Sequence, residues 1–152
     1  MKTLISITMV LAGLTFAFGQ TENGSGAQTK KGGGGPKSEA HVLTNGEFDS
    51  LFAHPEQLLI IDVRRPDELT AIGGFPAYLS IQQNQLAQSL AWIPKDRTIV
   101  TVSNHAARGG VAADILTKAG FKVAGTIGAQ TYEQAGGKLT HIAAPAPKAA
   151  QQ

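Results

Sequence analysis

The sequence predicts an α/β domain built on a mostly parallel sheet of about five strands, with helices on both faces. Three observations point there. Two short apolar runs, Leu58-Leu59-Ile60-Ile61-Asp62-Val63 and Thr98-Ile99-Val100-Thr101-Val102, are continuous rather than alternating, as strands buried on both faces are. Each run is followed by a stretch with helix-forming character, and strands alternating with helices imply a parallel sheet covered on both sides. Glycines and prolines fall at the boundaries between these stretches.

Taken in order, the chain opens with Met1-Lys2 and continues with an apolar run of about 15 residues from Leu4 to Phe18. Ala17 and Gly19 put small residues where a signal peptidase reads, so residues 1–19 are expected to be a secretory signal cleaved before Gln20. The run falls short of the ~20 residues a helix needs to cross a bilayer. The expected destination is the periplasm or the outside, with no membrane attachment after cleavage. Residues 20–39, with four consecutive glycines at Gly32–Gly35, have too little apolar surface to offset ordering entropy and read as a flexible linker. Residues 40–142 are the expected domain, and 143–152 an Ala/Pro-rich disordered tail.

Inside the domain, Thr44-Asn45-Gly46-Glu47 has the spacing of a capping box and predicts a helix through Phe52. Pro66 sits at a first helical position, with Asp67 and Glu68 in the first turn where acids suit the helix dipole. Gln82 to Ala91 predicts another helix, stopped ahead of Pro94. Gly109 to Ala119 keeps Val111, Ile115 and Leu116 on one face, and Gly120 is a natural C-cap. Phe52, Trp92 and Phe121 are expected in or half inside the core.

Composition excludes several classes. With no cysteine there are no disulfides, thiolate metal sites, thiol nucleophiles or lipoprotein anchors. The net charge of +2 has its source in the linker, at Lys30, Lys31 and Lys37. Between His41 and Ile142 eight Lys/Arg stand against nine Asp/Glu, which leaves about −1 and argues against nucleic acid as a partner. His41, His54, His105 and His141 are scattered without ligand spacing, so neither a metal nor any other cofactor is expected.

The informative segment is Thr98–Gly120, a buried strand, an expected six-residue loop from Ser103 to Arg108, and a helix. Ligands of open α/β sheets bind at such carboxyl ends of strands. Loop amides pointing inward and the unsatisfied donors of the helix start together favour an anion. The expected anion-binding loop is therefore Ser103, Asn104, His105, Ala106, Ala107 and Arg108.

These residues resemble the rhodanese family over about two-thirds of the chain, from Ala40 to Thr140. The family places Cys, four residues and Arg after the central strand, then a helix ending Ala-Gly-Phe. Here the same places hold Ser103, Asn-His-Ala-Ala, Arg108 and Ala119-Gly120-Phe121. Asp62-Val63-Arg64, with Pro66 and Glu68 behind it, resembles the family motif that opens Asp-Val-Arg and closes on a glutamate. Ile72 to Ala77 resembles the Gly-His-Ile-Pro-Gly-Ala turn with Gly74 for the histidine, and Gly128 to Gly136 the closing Gly-Gly…Trp…Ala-Gly element with Ala129 and Tyr132 substituted. Four elements in the right order and spacing imply a single rhodanese-like domain.

In active members the resemblance implies a loop cysteine that attacks thiosulfate as a thiolate and holds the transferred sulfur. Ser103 stands at that position, and a hydroxyl neither holds a persulfide nor attacks without a dedicated base. Arg108 is read about equally as an anion ligand or as structural support of the loop. Asp62, Arg64 and Glu68 are expected to form a structural ion-pair set at the loop's edge. The leading expectation is an exported domain, inactive as a sulfurtransferase, that binds a small oxyanion or a protein partner at this loop. The alternatives are an enzyme using Ser103 or a partner's thiol, and a purely structural module.

Overall fold

A computed structural model describes residues 37–141. The expected signal (1–19), most of the expected linker and the expected tail lie outside the described residues. The parallel sheet is present, with four strands in the order β2-β1-β3-β4: β1 (Leu58–Asp62), β2 (Leu79–Ser80), β3 (Thr98–Ser103) and β4 (Val123–Gly128). Among the described residues five α-helices accompany them: α1 (Asn45–Phe52), α2 (Pro66–Ile72), α3 (Leu86–Ser89), α4 (Ala107–Lys118) and α5 (Ala129–Gln134).

Among the described residues four strands stand where about five were expected, and beside β4 Val42 forms an isolated bridge with Thr126. His41 O accepts from Thr126 N, and Leu43 N donates to Thr126 O, both at 2.8 Å. The chain then turns directly into α1, whose cap begins at Thr44, so no further rung can form.

The apolar runs divide by parity, as a pleated strand requires. Leu58, Ile60, Val100 and Val102 face one side, where they meet Phe48 of α1, Phe75, and Ala129 and Tyr132 of α5. Ile61, Val63 and Ile99 face the other, against Ala112 and Leu116 of α4 with Leu86, Ile93 and Phe121. Each fully buried Leu, Ile or Phe contributes roughly 1.5–3 kcal/mol. Both faces are covered, so the strands carry no polar alternation.

Caps match the sequence chemistry. The Thr44/Glu47 capping box closes on both sides. Gly120 adopts φ +81°, and the end of α4 is satisfied by Phe121 N to Leu116 O and Gly120 N to Thr117 O, at 3.1 and 3.0 Å. That pairing, with Phe121 against Leu116, is a Schellman ending.

Three expectations need correction. Gln82 to Ala91 is not one helix: α3 spans only four residues, with 3₁₀ turns at Gln83–Gln85 and Leu90–Trp92. It carries no side-chain cap at its start, and Leu86 is the one buried residue it presents. Trp92 is not core but 84% exposed, because the last 3₁₀ turn directs Ile93 inward in its place. The loop after β3 is shorter than six residues. The strand continues through Ser103 and α4 starts at Ala107, two residues ahead of Gly109, leaving Asn104–Ala106 as the connection.

Candidate anion-binding loop

The loop sits at the carboxyl end of the central strand β3, between β1 and β4. Ser103 ends that strand and is 1% exposed. Its Oγ accepts a hydrogen bond from Gly109 N at 3.1 Å, which ties it to the first turn of α4. Among the described residues no acceptor takes its hydroxyl hydrogen, and no histidine or carboxylate reaches it. His105 is exposed and bonds to neither Ser103 nor an acid. The Ser103–His105 proximity in sequence therefore does not become a nucleophile–base pair.

Ala106 is the N-cap of α4 and has φ +65°. For a residue with a Cβ this left-handed conformation costs roughly 1–2 kcal/mol. Its carbonyl accepts from Gly110 N at 2.7 Å and from Thr126 Oγ1 at 3.4 Å. The same Thr126 hydroxyl reaches Thr101 O at 3.1 Å, and Thr101 Oγ1 donates to Gly109 O at 2.8 Å. Gly109 has to lack a side chain because its Cβ would collide with Thr126 Oγ1. Gly128 is equally constrained, since a Cβ there would lie 2.9 Å from His105 Cα and 3.0 Å from Asn104 O. The tight loop is therefore held from beneath by β4 and α4. Among the described residues, the amides of His105, Ala106, Ala107 and Arg108 have no backbone or side-chain acceptor. They form four successive donors at the head of a 12-residue helix.

Arg108 does not point a free guanidinium at the loop. It forms a two-pronged ion pair with Glu68, Nη1 to Oε2 at 2.8 Å and Nη2 to Oε1 at 2.5 Å. Asn104 Nδ2 donates to the same Oε1 at 2.7 Å. Glu68 also receives Arg65 N at 3.0 Å, closing the start of α2. One carboxylate thus joins α2 to both ends of the loop. The Arg108 bonds, ahead of the others, hold the Glu68 carboxyl at about 2 against an ordinary 4.5, while partial burial opposes them. The same pair raises the Arg108 guanidinium further above its already high value.

Asp62 and Arg64 form a separate, fully buried pair. Arg64 Nη2 donates to Asp62 Oδ2 at 2.7 Å and to Gly73 O at 2.9 Å, and Arg64 Nε lies 3.0 Å from Asp62 Oδ1. Their burial is complete on both sides. The expected single set of Asp62, Arg64 and Glu68 is two sets: one locks β1 to the end of α2, the other locks α2 to the loop. Among the described residues, two buried side-chain polar atoms keep no partner, Arg64 Nη1 and Asn104 Oδ1.

Sequence reasoning placed Glu68 at the loop's edge but paired it with Asp62 and Arg64; its partners Asn104 and Arg108, 36 and 40 residues away, could not be read from spacing. It missed Thr126 for the same reason, and it placed Ala106 in the loop without its left-handed geometry, which glycine normally signals.

No family model matches the chain, and no curated protein matches its sequence. Solved structures do. A rhodanese-related protein from Thermoplasma volcanium superposes with a TM-score of 0.58 at 19% identity, over 66% of this chain and 97% of that one. A protein of unknown function from Rhodopseudomonas palustris, described as a possible tyrosine phosphatase, gives 0.59 at 23% identity over 66% and 85%. A thiosulfate sulfurtransferase from Pseudomonas aeruginosa gives 0.59 at 22% identity, over 67% of this chain and 20% of that one. The chain has a rhodanese-like fold, and its sequence contains no cysteine.

Proposed function

We propose that this is an exported rhodanese-like domain that binds a small oxyanion at the loop of residues 103–108 and does not transfer sulfur. The observation that carries the reading is the run of four unpartnered amides, from His105 to Arg108, at the positive end of α4. Left-handed Ala106 turns the chain sharply between them, a geometry that makes backbone nests for anions. Ser103 contributes a buried hydroxyl whose hydrogen is free.

Loss of sulfur transfer follows from chemistry. A persulfide needs a thiol, and among the described residues the one hydrogen-bond partner of the Ser103 hydroxyl is a donor, Gly109 N. Without a base its hydroxyl stays protonated and unreactive. Arg108 acts on the ligand indirectly, through Glu68, by fixing the loop. Export rests on the apolar run from Leu4 to Phe18 and the small residues behind it.

The test is thermal unfolding of the purified protein in a series of oxyanions at constant ionic strength. A ligand at 100 times its Kd adds ~2.7 kcal/mol to the folded state, a readily measured rise in Tm. A selective rise that is lost when Arg108→Ala frees the loop supports the reading. Indifference to every anion refutes it.

A further inference from the structure

We propose that the outer edge of β2 is a self-association surface, where a second copy of this chain pairs antiparallel through Ser80 and joins two four-stranded sheets into one.

The two edges of the sheet are finished differently. Along the outer side of β4, Thr126 is bonded to His41 and Leu43, with Glu39 just ahead of that segment and Lys122 just ahead of the strand. β2 is the terminal strand at the other end, and among the described residues no strand pairs with its outer side. Ile81 N donates to Asp62 O at 3.1 Å, so by the alternation of a strand the N–H and C=O of Ser80 point away from β1. Leu79 and Ser80 are both exposed.

An open edge is a template for another strand, and charged side chains are a common guard against it. Here that guard is missing. From Thr70 to Pro94 the sequence runs 25 residues without Asp, Glu, Lys, Arg or His. At the chain's 16% charged content such a stretch would carry about four charges. Burial does not explain their absence, because Pro76, Ala77, Leu79, Ser80, Asn84 and Gln85 are all exposed.

Two features select a second copy as the occupant. A strand of two residues offers one outward donor and one outward acceptor, both on Ser80. An identical strand related by a two-fold axis presents the same two groups reversed, and so satisfies both. Ser80 then faces Ser80 of the second copy as a hydrogen-bonded pair, with Cα atoms about 5.5 Å apart. A longer strand from another protein would find nothing on β2 for its remaining groups. Charge gives the same answer. A two-fold interface sets a patch against itself, so a charged patch repels its copy, and this stretch has no charge to repel. A charged partner would find no complement on it.

The experiment is sedimentation of the full chain, with single cysteines as reporters in a sequence that otherwise has none. At high micromolar concentration the protein should sediment with twice the mass of one chain. Ser80→Cys should cross-link into a covalent dimer on mild oxidation, because the paired Cα atoms lie within disulfide range. Ser50→Cys, exposed on α1, should not cross-link under the same conditions. Ser80→Lys sets two like charges across the axis and should weaken the dimer roughly tenfold, with thermal unfolding of the dilute protein unchanged. A monomer at every concentration overturns the proposal. So does equal cross-linking at positions 50 and 80, or a dimer indifferent to Ser80→Lys, either of which places association on another surface.

Discussion

Replacing Ser103 by cysteine tests whether the loop is polarised toward a negative charge. The Oγ of Ser103 lies 3.1 Å from Gly109 N in the first turn of α4, so a sulfur placed there would meet the same amide and the same helix start. A hydrogen bond to a charged acceptor is worth ~1.5–3 kcal/mol. The helix terminus adds ~0.3–1 kcal/mol, up to ~2 when partly buried. Burial of the side chain works against the charged form and removes part of this gain. Arg108 and Glu68 offset one another and contribute little net field. About 2 kcal/mol should survive in favour of the thiolate, a roughly thirtyfold increase in the thiol's ionisation constant over a free thiol of pKa ~8.5. Thiolate absorbance against pH, or the pH dependence of alkylation, reads this directly. An ionisation midpoint at or above that of a free thiol would mean that the amides and helix start do not converge on position 103.

Three further outcomes follow from the ion pairs and the exposed tryptophan. Asp62→Leu and Arg64→Met should each cost ~3–5 kcal/mol in urea unfolding, because either leaves a buried charge alone, and the double replacement should recover most of the loss. Equal, additive losses would contradict the pairing. Glu68 is held at about 2 against 4.5, so its contribution is complete above pH 4.5 and is lost as pH falls toward about 2. The gap in Tm between wild type and Glu68→Gln should therefore narrow across that window. Glu47, held at about 2 by the α1 cap, adds to acid unfolding in both proteins. Trp92, the chain's single tryptophan, is 84% exposed, so its fluorescence should be quenched freely by iodide in the native state and shift little on unfolding. A blue-shifted, protected emission would place it elsewhere.

The parts of the fold that local chemistry decides were legible in the sequence. The two apolar runs became β1 and β3, Thr44 and Glu47 closed their box, and Gly120 took the left-handed cap. Each depends on residues within about five positions of one another. Missing was whatever depends on long-range geometry. Val42 makes one bridge rather than a strand because α1 begins so soon after it. Trp92 lies outside because the chain could direct either it or Ile93 inward, and only tertiary packing decides which. At the loop, the order Ser103 to Arg108 was visible, but the partner of Arg108 was not, since Glu68 is 40 residues away. A strained Ala106 carries no compositional sign at all.

The account rests on the amides of the loop, and they can be observed one by one. In ¹H–¹⁵N NMR spectra of the labelled protein titrated in turn with phosphate, bicarbonate, sulfate and thiosulfate, the resonances of His105, Ala106, Ala107 and Arg108 should move together and saturate with at least one of them, with Gly109 following. Unmoved loop amides, or shifts gathered elsewhere on the domain, would contradict the binding site at residues 103–108.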